Sequence, residues 1–170
     1  MDCTDEPAAI ARVAKIKASG RWVPAFFDLT IAIENSRLDQ TTNTPAVATL
    51  MLLADQLEWM NSNGGMSFAA GRSAKSAEIM YSWAEKTSYT TPFVTDPAMR
   101  SNVVATINFE DGIDALEIAK TLRANGIVDT EPYRKLGKNQ LRVGMFPAID
   151  PEDIKSLTSC IEYVVAEMKK

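Results

Sequence analysis

Two short stretches carry residue types suited to holding an anion. Asn43-Thr44-Pro45 stands immediately ahead of an apolar, helix-forming run. A helix start presents N–H groups without intrahelical partners and a partial positive charge, and Asn and Thr side chains add further donors. A phosphate site is one reading of this segment. A plainly capped helix is the other, with Thr44 as N-cap and Pro45 at the first helical position. Arg134 and Arg142 form the second group. Arg142 falls in QLRVGMF, an alternating run that reads as a strand, and from there it can grip a carboxylate or phosphate through two parallel hydrogen bonds. Arg134 lies in a loop with Tyr133, Lys135 and Lys138 and could help hold an anion. A solvated basic loop and a strand arginine on the wet face explain the same spacing.

The absent residue type is as informative. The chain has no histidine. That removes Ser-His and Cys-His nucleophile pairs and most zinc sites. Acid-base chemistry then falls to carboxylates, Lys, Tyr or a borrowed cofactor. Asn108-Phe109-Glu110-Asp111 reads as a turn between a strand and a helix, and no metal site is expected. Gly64-Gly65 reads as a helix stop, since no G-x-x-x-x-G-K or G-x-G-x-x-G pattern accompanies it.

Composition bounds the setting. The 170 residues are 46% hydrophobic and 24% charged, as in a soluble globular protein. The net charge of −4 argues against a nucleic-acid footprint, which needs a basic face. No window approaches the ~20 apolar residues of a membrane span. The acidic start, MDCTDEPAAIARV, does not read as a signal peptide. Cys3 and Cys160 alone make no disulfide framework, so a reducing, cytoplasmic setting is expected.

The elements that must position these residues follow from periodicity. Residues 6–18 read as a helix stopped by Ser19-Gly20, with RWVPAFFDL extended after it and a short helix over 30–39. A long helix runs from Thr44-Pro45 to Met60 and a second from about Ser67 to Lys86. Trp59, Phe68 and Trp83 are expected in the core. TSYTTPFVTDPAMRS reads as a polar loop. From about residue 100 the pattern becomes β-α-β-β-α: NVVATINF, a helix from Asp114 to Gly126, a short strand within GIVDTEPYRKLGKNQ, then QLRVGMF, and a last helix from Pro151 to Met168 capped by Asp150. The expected core is Val103, Val104, Ile107, Ile118, Leu122, Val143, Ile154, Leu157, Ile161 and Val164. The two long helices, about 45–60 and 67–86, carry more apolar residues than one face can use, which predicts self-association as a symmetric dimer through them.

Taken together, GRWVPAFFDL, QTTNTPAVATLMLLADQLEWMNSNGG, YTTPFVTDPAMRSNVVATINF and LRANGIVDTEPYRKLGKNQLRVGMFPAIDPEDI resemble, in this order, bacterial phosphoserine aminotransferases. The resemblance runs from about residue 8 to 165. It implies the C-terminal part of a class V, pyridoxal-phosphate-dependent aminotransferase with an α+β, aspartate-aminotransferase-like fold. Residues 1–65 would be the tail of the large cofactor domain, 66–99 a connecting helix and loop, and 100–170 the small domain. The family is dimeric and moves the amino group of glutamate to 3-phosphohydroxypyruvate, giving phosphoserine and 2-oxoglutarate for serine biosynthesis. The resemblance implies that Asn43 and Thr44 reach the phosphate of a neighbouring subunit's pyridoxal 5'-phosphate, that Arg142 binds the substrate carboxylate, and that Arg134 helps bind the phosphoryl or second acidic group. The family's Schiff-base lysine, ring-stacking aromatic and pyridine-pairing aspartate lie upstream of the matched region, so the 170 residues alone are expected to be inactive, with no catalytic residue among them. Thr42 and Tyr133 stand where many relatives carry tyrosine and histidine. A non-catalytic dimerisation or regulatory module derived from the same fold is the alternative.

Overall fold

The structure is a computed structural model that describes residues 6–133 and 135–169, and only the backbone of Glu6. The chain divides into two compact units, Met1–Asp55 and Gln56–Lys170.

In the first unit, α1 (Glu6–Ala18) ends at Ser19-Gly20, where Gly20 takes a φ of 69°. That left-handed turn is open to glycine at little cost, which is why the helix stops there. The following segment is not extended as predicted. After Pro24, residues Ala25–Phe27 wind into a 3-10 turn. The turn leads directly into α2 (Leu29–Ser36), whose N-cap Asp28 accepts a hydrogen bond from the Thr30 N–H at 3.0 Å. The same carboxylate lies 3.6 Å from Lys17 Nζ, so one side chain caps α2 and ties it to α1. Among the described residues of this unit, Val13 is the buried hydrophobic one, at 8% exposure.

Helix α3 (Val47–Ser62) begins later than Thr44-Pro45 predicted. The Val47 N–H turns back to the Pro45 carbonyl, and the first intrahelical bond runs from Leu50 N–H to the Ala46 carbonyl. Ala46 therefore holds the cap position, and it has no side-chain oxygen to serve there. Thr44 is not the cap. No residue of α3 is buried.

The second unit is built around α4 (Gly65–Lys86) and a three-stranded antiparallel sheet in the order β1 (Thr90–Pro92), β2 (Val104–Phe109), β3 (Gln140–Gly144). Thr91 faces Asn108, and Thr106 faces Arg142. Helices α5 (Ala115–Ala124) and α6 (Pro151–Met168) complete it. The strands alternate as a half-buried sheet should: Ala105, Ile107, Phe109, Leu141 and Val143 are buried, while Val104, Thr106 and Asn108 are half-buried and Arg142 is exposed. Buried Ala115, Ile118, Ala119 and Leu122 recur at helical spacing on α5, and Ile154, Leu157, Ile161 and Val165 on α6. Met80 from α4 and Met145 are fully enclosed in the same core.

Both helix starts follow the sequence closely. Asp114 accepts from the Leu116 and Glu117 N–H groups, and Asp150 accepts from the Glu152 N–H, with Pro151 in the first turn. Three expectations need correction. The strand predicted within 126–140 does not form; that segment is irregular and touches β3 through one backbone bond, Arg142 N–H to the Thr130 carbonyl at 3.0 Å. The third strand is β1, drawn from the stretch read as a polar loop. Val103 is 38% exposed, and Val104 and Val164, also expected in the core, are half-buried, with Val165 taking the core position on α6. Trp59, Phe68 and Trp83 are half-buried; Trp59 and Phe68 meet edge to face at 5.4 Å, and Trp83 packs beside the core and donates to Glu162 at 3.0 Å.

Asn139 joins the pieces around α5. Its Oδ1 accepts the Ala115 N–H at 2.9 Å, and its Nδ2 reaches the carbonyls of Ile113 at 2.7 Å, Glu110 at 3.3 Å and Phe109 at 3.4 Å. Glu110 and Asp111 lie in the turn predicted there.

Candidate functional site

Asn43 and Thr44 lie in the first unit on the exposed stretch ahead of α3. The Thr41 hydroxyl donates to the Asn43 carbonyl at 2.6 Å, which bends the chain just before the helix. The N–H groups of Ala48 and Thr49 fall in the first turn, where the helix offers them no acceptor. The segment from Thr41 to Leu50 contains no carboxylate and no other charged group. This donor set, an Asn amide, a Thr hydroxyl and a helix start, suits the phosphate of a cofactor.

Arg142 lies in the second unit on the sheet face away from the buried side chains, and it is exposed. Its backbone N–H is anchored to Thr130, and its guanidinium carbon stands 5.9 Å from the centre of the Tyr133 ring. Stacking of that kind holds a guanidinium while leaving its N–H edge open. Among the described residues no carboxylate lies within ion-pairing distance of it. Arg134 lies outside the described residues. Tyr133 and Lys135 are exposed, and Lys138 sits 4.6 Å from the centre of the Phe93 ring.

Arg142 also borders a cleft of about 840 Å³ between β3, the 126–130 segment and α6, whose walls include Val128, Thr130, Phe146, Leu157 and Cys160. Thr130 is only 4% exposed, and its hydroxyl finds no hydrogen-bond partner. The residues flanking Thr130 are held from α5. Arg123 grips Glu131 through Nε–Oε1 at 2.6 Å and Nη2–Oε2 at 3.0 Å, and reaches Asp129 Oδ1 at 2.9 Å. Hydrogen bonding from Arg123 holds the Glu131 carboxyl below its usual range. Asp129 takes a φ of 64°, a conformation aspartate tolerates better than most residues.

Sequence reasoning named Arg142 and missed Arg123. The readable signal was a basic residue in the last turn of α5 followed, within a few residues, by Asp129 and Glu131. Tyr133 reads from the sequence as a neighbour of Arg134, and nothing there points to its role toward Arg142. Among the described residues no group of His, Cys, Asp and Glu is placed to hold a metal ion, and no helix is long and apolar enough to cross a membrane.

No family model matches the sequence. Individual proteins do. A phosphoserine aminotransferase of Rhodococcus opacus (strain B4) is 63% identical over 162 residues, which is 95% of this chain and 43% of that protein. Among solved structures, phosphoserine aminotransferase from Bacillus circulans subsp. alkalophilus superposes with a TM-score of 0.73 over 85% of this chain and 39% of its own, at 20% identity. The pyridoxal-phosphate-bound phosphoserine aminotransferase of Trichomonas vaginalis gives 0.68 over 83% and 39%, at 16% identity. At those identities the two structures speak for the aspartate-aminotransferase-like fold alone. The chain spans less than half the length of the curated relatives it matches. By sequence, the chain corresponds to the C-terminal part of phosphoserine aminotransferases, and its fold is aspartate-aminotransferase-like.

Proposed function

We propose that these residues serve a phosphoserine aminotransferase, moving the amino group of glutamate to 3-phosphohydroxypyruvate, and that Arg142 holds the substrate carboxylate. The observation that carries the reading is the exposed guanidinium of Arg142, fixed at its backbone and backed by Tyr133, with no described carboxylate to neutralise it. Two parallel hydrogen bonds from that fork fix both oxygens of a carboxylate and so fix the rotation of the carbon to which nitrogen is transferred. Arg134 adds positive charge for the phosphoryl or second acidic group of the substrate. Asn43 and Thr44 bind the phosphate of pyridoxal 5'-phosphate from a neighbouring subunit, which makes the working unit a cytoplasmic homodimer. The cofactor, when bound, supplies the electron withdrawal that amino-group transfer requires. Residues 1–65 belong in this scheme to the large cofactor domain, 66–99 to the connection and 100–170 to the small domain.

The role of Arg142 is tested by titrating 2-oxoglutarate into the labelled chain while following the Arg142 Nε–H resonance. A saturable shift that Arg142→Gln abolishes is expected. An unresponsive side chain at millimolar ligand removes the carboxylate role. No lysine of the 170 residues lies in a context that fits the imine-forming role. Purified alone and given pyridoxal phosphate, they are expected to show neither the visible absorbance of an internal imine nor turnover of glutamate with 3-phosphohydroxypyruvate. Measurable turnover overturns that expectation.

A further inference from the structure

We propose that Arg123 is a positioning residue for Arg142, acting through the segment that it clamps. The inference rests on the carboxylate-binding role proposed for Arg142. The contacts that fix Arg142 beyond its own strand pairing come from one short stretch: Thr130 takes its backbone N–H at 3.0 Å, and Tyr133 presents a ring 5.9 Å from its guanidinium. That stretch has no ladder of its own, since the segment between α5 and β3 forms no strand. It is anchored at its start by Ile127 N–H to the Leu122 carbonyl at 2.9 Å. Arg123 then grips the residues on either side of Thr130, Asp129 at 2.9 Å and Glu131 at 2.6 and 3.0 Å. Both ends of the Thr130 peptide are thereby held against the exposed edge of β3.

The charge arrangement makes the clamp necessary. Without Arg123, the carboxylates of Asp129 and Glu131 flank Thr130 with no described cation replacing it, and like charges at that spacing repel. Asp129 also occupies a left-handed conformation, at φ 64°, which has to be held in place. Releasing the segment frees the Arg142 amide and carries Tyr133 away together. One ion-pair cluster on α5 thus sets both the backbone and the face of the arginine on β3.

Amide hydrogen exchange on the full 170-residue chain tests this at Arg142 itself. Arg123→Ala is expected to speed exchange of the Arg142 N–H by up to roughly fivefold, the range a partly exposed bidentate pair can supply. Arg123→Lys, which keeps one ion pair, should restore part of the protection. Glu131→Gln should act in the same direction as Arg123→Ala. The amides of Ile107 and Leu141, in the paired interior of the sheet, serve as controls that report general loosening. Equal Arg142 exchange in wild type and Arg123→Ala overturns the proposal, and so does a rise shared equally by Ile107 and Leu141. The 2-oxoglutarate titration, repeated on each variant, separates the two ideas. Selective release of Arg142 in Arg123→Ala with no ligand shift in wild type upholds the clamp and removes the carboxylate role. A wild-type shift whose apparent affinity is unchanged in Arg123→Ala, with exchange also unchanged, leaves the carboxylate role standing and removes the clamp.

Discussion

Helices α3 and α5 use their apolar residues in opposite ways. On α5, Ala115, Ile118, Ala119 and Leu122 line one stripe and all are buried. On α3, Val47, Leu50, Met51, Leu52, Leu53 and Leu57 spread around the helix, and each is about half exposed or more. The α5 pattern describes a helix that is finished within its own unit. The α3 pattern describes one that leaves apolar surface open in this chain, and monomers rarely leave large apolar patches so. The apolar fraction of a helix thus says little by itself, and its angular distribution says where the partners must be.

Substitution on the two helices breaks or sharpens this contrast. Ile118→Ala on α5 should cost about 2–5 kcal/mol in chemical unfolding, because Ile118 is completely enclosed. Leu52→Ala on α3 should leave the dilute chain within ~0.5 kcal/mol of wild type, because Leu52 is 72% exposed. Equal losses at both sites would mean that α3 is already packed. At micromolar concentration the ranking changes. The chain should self-associate through α3, and Leu52→Ala should weaken that association by roughly 2 kcal/mol in sedimentation equilibrium. A chain that sediments as a monomer with α3 fully helical removes this expectation.

Smaller effects come from the helix ends of the second unit. Asp114→Ala removes two N-terminal hydrogen bonds of α5 and should cost roughly 1 kcal/mol, with Asp114→Asn recovering most of it. Acid should act weakly in the same region. The Asp150 carboxyl is held below its ordinary pKa by the Glu152 N–H and then by Arg72, and Glu131 by Arg123. A folded-state pKa below the unfolded value stabilises above the unfolded pKa, near 4, and that contribution disappears as pH falls through the lowered value. The urea midpoint should therefore slope downward below about pH 4. Asp150→Asn, which keeps an acceptor at the cap and removes the titration, should flatten the slope. An unchanged slope in Asp150→Asn assigns the acid sensitivity to other carboxylates.

The parts of the fold legible in the sequence are those specified locally. The start of α6 is written in consecutive residues, Asp150, Pro151, Glu152 and Asp153, and it forms where they put it. Strand β1 was not legible, because Thr90–Pro92 is a strand only by virtue of pairing with residues 107–109. The short strand expected within GIVDTEPYRKLGKNQ does not form, because Asp129 and Glu131 are fixed by Arg123 rather than by a ladder. Thr44 and Pro45 carry good helix-start chemistry, yet Pro45 accepts the Val47 N–H in a tight turn ahead of α3 and Thr44 stands outside the helix. At the candidate site, Arg142 was readable from its place in an alternating strand. Its support was not, since a contact between Arg123 and Glu131 depends on how the intervening chain folds back.

Asn139 gives the second unit a joint that reads the difference between nitrogen and oxygen. Its side-chain nitrogen faces the carbonyls of Phe109, Glu110 and Ile113, while its oxygen holds the first amide of α5. An Asn139→Asp exchange would turn a negatively charged oxygen toward three carbonyl oxygens and lose both donors at once. The corner between β2 and α5 therefore tolerates one side-chain chemistry, and its isostere would push the two elements apart.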